Sequence, residues 1–281
     1  MLNIRKKTIF RCVLGIALFL GGLLSAQEPI DIVYTWVEGA DPAWQEVRDR
    51  YFQECFPLIT SQESNSKNRY RNRDELRYSM RSVLKYAPFF NHIYIVTFQQ
   101  KPKWLVDHPK VTIIDHSEIF PDKSHLPTFN SQAIECNLHR IPNLSEKFIY
   151  FNDDVFLAAP AVESDFFTST GGIRFNLSAR YSPVGAIVPG EIAFFSAWKN
   201  TNKFLDETFR VEQRYRLAHT PFALKKSFIK DIENKYPQIF NLVSSHRFRM
   251  PNDYVMTNGL IQYCCYYMKR AKIGHERYCI F

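Results

Sequence analysis

Cysteine is scarce in this chain of 281 residues, and it is poorly spaced for holding a metal. Of the six, Cys12 lies in the N-terminal apolar stretch, and Cys55, Cys136, Cys264, Cys265 and Cys279 include no Cys-x-x-Cys pair. That pattern argues against a zinc site and a dense disulfide framework, and leaves room for one or two isolated disulfides in an exported chain. Dense lysine and arginine blocks are also missing, so no nucleic-acid partner is expected. No internal repeat is visible, which sets aside repeat architectures.

Apolar runs long enough to span a bilayer comfortably are lacking too. The run from Cys12 to Leu24 is short for that purpose. It follows Arg5, Lys6, Lys7 and Arg11 and ends in Leu24-Ser25-Ala26, where a signal peptidase could cut. Residues 1–26 therefore read as a secretory signal, with a membrane anchor as the alternative. The expected localisation is export or membrane association through the N-terminus, in the Golgi or secretory lumen if the source is eukaryotic. There, Asn143-Leu144-Ser145 and Asn176-Leu177-Ser178 would be glycosylation sequons. The segment holds four basic and no acidic residues, so the formal charge of +8 becomes +4 without it, a mild excess that suits an anionic substrate.

What is present is enough apolar material for a large core, 46% of residues. Aromatic residues make up 15%, with 24 Phe and 15 Tyr, which serves an aromatic core and would also serve a site that stacks on sugar or base rings. The elements alternate in a βαβ manner. Ile30 to Val37 reads as a first strand, and Asp41-Pro42 as the cap and first residue of a helix running to about Phe56. Leu58 to Asn68 reads as a polar loop. Leu76, Met80, Val83, Leu84 and Ala87 form a helical stripe closed by Pro88. Ile93 to Thr97 and Val111 to Asp115 read as strands, and Ser131 to Ile141 as a helix. That order predicts a mostly parallel sheet covered by helices. Beyond residue 160 the pattern loosens, and helical texture returns from Asn200, over Phe222 to Tyr236, and from Asp253 to Arg270.

Lys147 to Leu157 carries the clearest chemical signal. A short apolar β-rich run ends in Asn152-Asp153-Asp154, where open α/β sheets place their ligands. Two hard carboxylates there suit Mg²⁺ or Mn²⁺ on a diphosphate, although turn and cap chemistry also uses such pairs. Asp31, inside an apolar strand, requires either a basic partner or a ligand. Arg73, Arg77 and Arg81 lie on one helix face with Arg69 and Arg71 just before it. Arg71 and Arg73 could hold a diphosphate, or Asp74 and Glu75 could neutralise them, while Arg77 and Arg81 read as a solvated face. His219 precedes Thr220-Pro221 and an expected helix, a setting that would depress its pKa and ready it as a general base, unless its role is structural. His246-Arg247-Phe248-Arg249 with Asn252-Asp253 either caps a helix or holds phosphate.

Taken together these motifs resemble one family. Ile30-Asp31-Ile32-Val33-Tyr34-Thr35-Trp36-Val37-Glu38-Gly39-Ala40-Asp41-Pro42 resembles the first conserved region of the Stealth proteins, sugar-phosphate transferases of bacterial capsules and of animal lysosomal-enzyme tagging. Arg69 to Ser82, His92 to Thr97, Phe129-Asn130-Ser131 and Phe151-Asn152-Asp153-Asp154 resemble the second, and His219-Thr220-Pro221 with Arg247-Phe248-Arg249 and Asp253 the third. The resemblance implies an α/β fold with a mostly parallel, Rossmann-like (GT-A-like) sheet over residues 27–160 and a helical lobe over 161–281, together one catalytic domain. It implies transfer of a sugar-1-phosphate from a nucleotide-sugar donor, expected to be UDP-linked, to a glycan acceptor. Asp153 and Asp154 would hold Mg²⁺ or Mn²⁺. Asp31, His219 and Arg249 would be catalytic, and Trp36, Arg71, Arg73, Asp74, Asn130 and Asp253 would bind substrate. Family members usually continue into a fourth segment with Asn-Asp and Phe-Glu elements, to which residues 272–281 show no match. A conventional metal-dependent glycosyltransferase and a non-catalytic nucleotide-sugar-binding relative are the rival expectations.

Overall fold

The computed structural model describes residues 28–55, 66–211 and 213–274. The leader, most of the polar loop from Leu58, Cys12 and Cys279 lie outside them, as does most of the stretch compared with a fourth conserved segment. Among the described residues no helix is long and apolar enough to cross a membrane. The four described cysteines are free, so no disulfide forms among them.

In chain order the first half comprises β1 (Ile30–Thr35), α1 (Pro42–Cys55), α2 (Glu75–Tyr86), β2 (Ile93–Thr97), β3 (Val111–Asp115), α3 (His116–Ile119), α4 (Ser131–Glu135) and β4 (Lys147–Asn152). The second half comprises α5 (Glu163–Phe166), β5 (Ile173–Phe175), β6 (Leu177–Tyr181), α6 (Ala193–Phe209), β7 (Tyr215–Leu217), β8 (Phe222–Lys225), α7 (Lys226–Lys235), α8 (Pro237–Ser245), α9 (Ile261–Tyr267) and β9 (Ala271–Ile273). Local chemistry accounts for several boundaries. Pro42, with its fixed φ, opens α1 while the Asp41 carboxylate accepts from the Ala43 amide at 3.0 Å. In α2 the buried side chains Leu76, Met80 and Val83 share one face.

Five strands form the central sheet in the order β3-β2-β1-β4-β8. The first four run parallel and β8 runs antiparallel to β4. β1 and β4 are buried without alternation, the pattern of strands covered on both faces. The chain builds outward from β1 to β3, then crosses back to place β4 on the other side of β1. This is the topological switch point, and the carboxyl ends of the two strands there, Thr35 and Asn152, are register partners.

Three expected helices are revised. The one predicted over 131–141 stops at Glu135: the Asn137 side-chain Nδ2 takes the Ala133 carbonyl at 2.9 Å, the Asn137 backbone N–H goes to the Ile134 carbonyl at 2.9 Å, and a 3₁₀ turn, Leu138–Arg140, follows. The stretch from Phe222 begins as strand β8 before turning into α7, since Phe222, Ala223 and Leu224 bury themselves along β4. The last predicted helix, from Asp253, starts with a π turn (Met256–Leu260) and gives way to β9. The second half therefore contributes an edge strand to the main sheet and two small strand pairs, β5-β9 and β6-β7, in addition to its helices.

Candidate active site

Asp153 and Asp154 emerge from the carboxyl end of β4 at the switch point. Asp153 is partly buried, and burial together with the negative charges of Asp154 and Glu75 raises its carboxyl pKa to about 7. Asp154 reaches across to the second half of the chain, where its Oδ1 meets His219 Nε2 at 3.1 Å. That bond lowers the Asp154 pKa and raises the imidazole's above its ordinary value, with burial of the ring opposing the rise. The expected depression at a helix N-terminus is therefore corrected: His219 precedes a strand, and its dominant neighbour is a carboxylate.

A buried acid, Glu135, completes the site, and no sequence signal points to it. It lies at the end of α4, where its Oε2 accepts from the Thr257 amide at 3.0 Å and the Thr257 hydroxyl at 2.5 Å. Burial raises its pKa, opposed by the Thr257 bonds and by the nearby charges of Arg249 and His219. Arg249 donates to the Ser131 hydroxyl at 2.9 Å. Burial and neighbouring Arg69 lower its guanidinium pKa, while Glu135, Tyr70 and Asp253 support the charged form.

The arginine-rich segment before α2 lies over the same edge. Asn72 ties it to the loop after β1 by donating to Glu38 Oε2 at 2.7 Å. Gly39 permits the approach, since a Cβ there would fall 1.9 Å from the Tyr70 carbonyl oxygen. Beneath it, Trp44, Tyr70, Phe129 and Phe248 form a separate aromatic cluster, with the Arg48 guanidinium 5.6 Å from the Trp44 and Tyr70 ring centres. Tyr70 also donates to the Phe129 carbonyl at 3.2 Å, and the Phe129 amide to the Arg247 carbonyl at 2.7 Å. These contacts bring the Arg69–Arg73 segment and the Arg249 loop to one side of the carboxylates.

Three conserved-region models match the chain: Stealth protein conserved region 1 over residues 28–51, region 2 over 69–175 and region 3 over 218–266. This chain belongs to the Stealth family. An exopolysaccharide phosphotransferase of Streptomyces coelicolor is 43% identical over 86% of this Stealth chain and 41% of its own length. The capsular polysaccharide phosphotransferase LcbA of Neisseria meningitidis is 38% identical, over 84% of this chain and 64% of its own. CpsY, an exopolysaccharide phosphotransferase of Mycobacterium tuberculosis, is 36% identical, over 86% and 45%. The chain thus spans less than half of the first of these relatives. Among solved structures, an apo form of the bifunctional glycosyltransferase WbbM aligns at a TM-score of 0.42 and 10% identity, over 88% of this chain and 39% of that one, too distant to bear on function.

Within the Stealth motifs the structure separates residues at the site from residues that support it. Asp153, Asp154, His219 and Arg249 converge. Arg71, Arg73 and Asp74 are exposed on the adjoining segment, and Asp74 holds a left-handed backbone at φ 65°. Among the described residues the side chains of Arg71 and Arg73 have no ion-pair partner. Asp31 is corrected. It sits at the opposite, amino-terminal end of β1, fully buried, with Asn91 donating to Oδ1 at 2.9 Å and the Ser145 amide to Oδ2 at 2.7 Å. Its hydrogen-bond partners are polar neutral groups with no arginine among them. Trp36, only 6% exposed, is a core residue with little surface for substrate. Asn130 and Asp253 are buried and bonded to each other at 2.9 Å, and Asp253 also accepts from His246 at 2.6 Å and the Met250 amide at 2.9 Å. They fix the loop that carries Arg249 and have no free atom directed at a substrate.

Proposed function

We propose that this Stealth protein transfers a sugar-1-phosphate from a nucleotide diphosphate sugar, UDP-linked as the first donor to test, to a hydroxyl of a glycan acceptor. The product is a phosphodiester in capsule or other cell-surface polysaccharide. The observation that carries the proposal is the Asp154–His219 contact, which joins the second and third conserved regions at the switch point beside Asp153, Glu135 and Arg249. The relatives, all named polysaccharide phosphotransferases, support this substrate class.

In this reaction the acceptor oxygen forms a bond to the phosphorus nearest the sugar. The bridging P–O bond breaks, and a nucleoside monophosphate leaves with the electron pair. With Nε2–H donating to Asp154, His219 has Nδ1 free to take the acceptor's proton, and the carboxylate steadies the imidazolium that results. Arg249 and, from the rim, Arg71 and Arg73 neutralise the equatorial phosphate oxygens. Asp153 and Asp154 would hold Mg²⁺ or Mn²⁺. Their fit rests on the excess negative charge around Asp153, whose neighbouring charges raising its pKa are both carboxylates. Among the described residues no group of three or more His, Cys, Asp or Glu is arranged as a metal cage. That is compatible with Mg²⁺, which is usually held by one or two carboxylates plus substrate phosphates. Bound there, the ion would supply charge neutralisation on the diphosphate.

The test is to incubate the purified chain with a panel of nucleotide sugars, with and without Mg²⁺, and identify the released nucleotide. Nucleoside monophosphate is the expected product. Nucleoside diphosphate would make the protein a conventional glycosyltransferase, and donor binding without turnover a non-catalytic relative.

A further inference from the structure

We propose that Arg180 and Arg216 form a subsite for a phosphodiester within the acceptor chain, a short distance from the hydroxyl that reacts. The proposal rests on the transfer reaction above, because that reaction leaves one phosphodiester in the chain at every addition.

The two arginines stand on the antiparallel strands β6 and β7. Arg180 is exposed. The Arg216 Nε is buried without a hydrogen-bond partner, and its guanidinium lies 5.2 Å from the Phe195 ring centre and 6.0 Å from that of Phe194. Burial and the charge of Arg180 both lower the Arg216 pKa, and no carboxylate offsets them. Two carboxylates around the adjoining helix are engaged elsewhere: Glu191 pairs with Lys199 at 2.5 Å and Asp206 with Arg214 at 2.6 Å. Among the described residues neither Arg180 nor Arg216 has an ion-pair partner. Two guanidinium groups held together without a counter-charge, one of them partly desolvated, favour an anion with several acceptor oxygens.

Location narrows the class of anion. Arg216 precedes His219 by three residues, so their Cα atoms are at most about 11 Å apart. Next to the arginines, Tyr181 and Tyr215 stack with ring centres 4.4 Å apart, and their hydroxyls bond to each other at 3.0 Å. This stacked pair braces the β6-β7 ribbon that carries both arginines. A neutral primer would lack the anionic contact, so additions after the first should be favoured.

The experiment is calorimetry with oligomers of poly(glycerol phosphate), a phosphodiester chain without sugar rings, and separately with UMP. It uses the full chain, Arg180→Ala and Arg216→Met. Each variant is expected to bind the oligomer about tenfold more weakly or worse, with UMP affinity unchanged. Arg180 is exposed, so its variant keeps the test decisive even if Arg216→Met does not fold. Failure of the parent to bind the oligomer, equal affinity of parent and Arg180→Ala, or a parallel loss of UMP affinity would overturn the subsite. Those results are separable from the transfer reaction. A parent that releases UMP from UDP-sugars but binds the oligomer independently of Arg180 retains the reaction and loses the subsite. A parent that releases no UMP but binds the oligomer more tightly than Arg180→Ala retains the subsite and loses the reaction.

Discussion

At the scale of single residues, the proposed reaction leans most on His219. His219→Ala is expected to retain donor binding and lose about 10² to 10⁴ in transfer rate, the usual contribution of a positioned base. Calorimetry and nucleotide release check the two halves, and a near-parental rate would leave the base elsewhere. The Asp154 bond also sets a pH signature. Because the folded pKa of the imidazole lies above 6.5, the cationic form persists to higher pH than in a free histidine, and the neutral form appears only above that raised value. Proton NMR of the metal-free protein should show that titration, displaced to lower pH in Asp154→Asn. Asp31 makes the opposite case. Asp31→Ala leaves the Asn91 amide and the Ser145 N–H unpaired, so it should cost about 1–3 kcal/mol in denaturant unfolding while the folded fraction keeps its donor affinity. From the sequence a carboxylate in an apolar strand could equally have faced a ligand. Only the register, which puts it at the amino end of β1, decides against that.

At the scale of elements, the Asn130–Asp253 pair connects α4 to the loop carrying Arg249. Asn130 also caps α4 by accepting from the Gln132 amide at 3.1 Å. Its replacement by alanine should cost about 1 kcal/mol for the cap alone, and more for the bond lost to Asp253, whose Oδ2 keeps only the Met250 amide. Donor affinity should fall with it through misplacement of Arg249. Arg249→Ala should weaken donor binding by about 1.5–3 kcal/mol, whereas Arg77→Ala, farther along α2, should do little. A larger loss at Arg77 would relocate the phosphate site. Several first-half elements were legible because their signals are local: Pro42 at a helix start, the α2 stripe, and the β-rich runs of β1 and β4. β8 was not, since its three-residue apolar run, Phe222 to Leu224, reads alike as strand or buried helix until its partner β4 is known. Glu135 was equally illegible, because the group that fixes it, Thr257, lies 122 residues away.

At the scale of the whole molecule, the fold gathers negative charge at one edge of its sheet, and this has a cost that depends on pH. Asp153 has a pKa of about 7 in the folded chain and an ordinary carboxylate value when unfolded, so between those values the folded state binds the extra proton. The contribution of this group to stability is therefore largest below the unfolded value and declines as pH rises through about 7. Without divalent ions the parent should lose melting temperature as pH rises from about 5 to 8, and Asp153→Asn, which carries no charge to repel Asp154 and Glu75, should lose less. A divalent ion bound to the folded chain only would add RT ln(1 + [L]/Kd), roughly 2.7 kcal/mol at a hundredfold excess over Kd. Mg²⁺ or Mn²⁺ should therefore raise the melting temperature most at the alkaline end, where the carboxylates are ionised, and should do so weakly or not at all in Asp153→Asn. Thermal scans across pH, with and without each ion, check this without any turnover. Equal stabilisation of parent and variant would place the ion away from Asp153, and the carboxylate pair would then be left to orient His219.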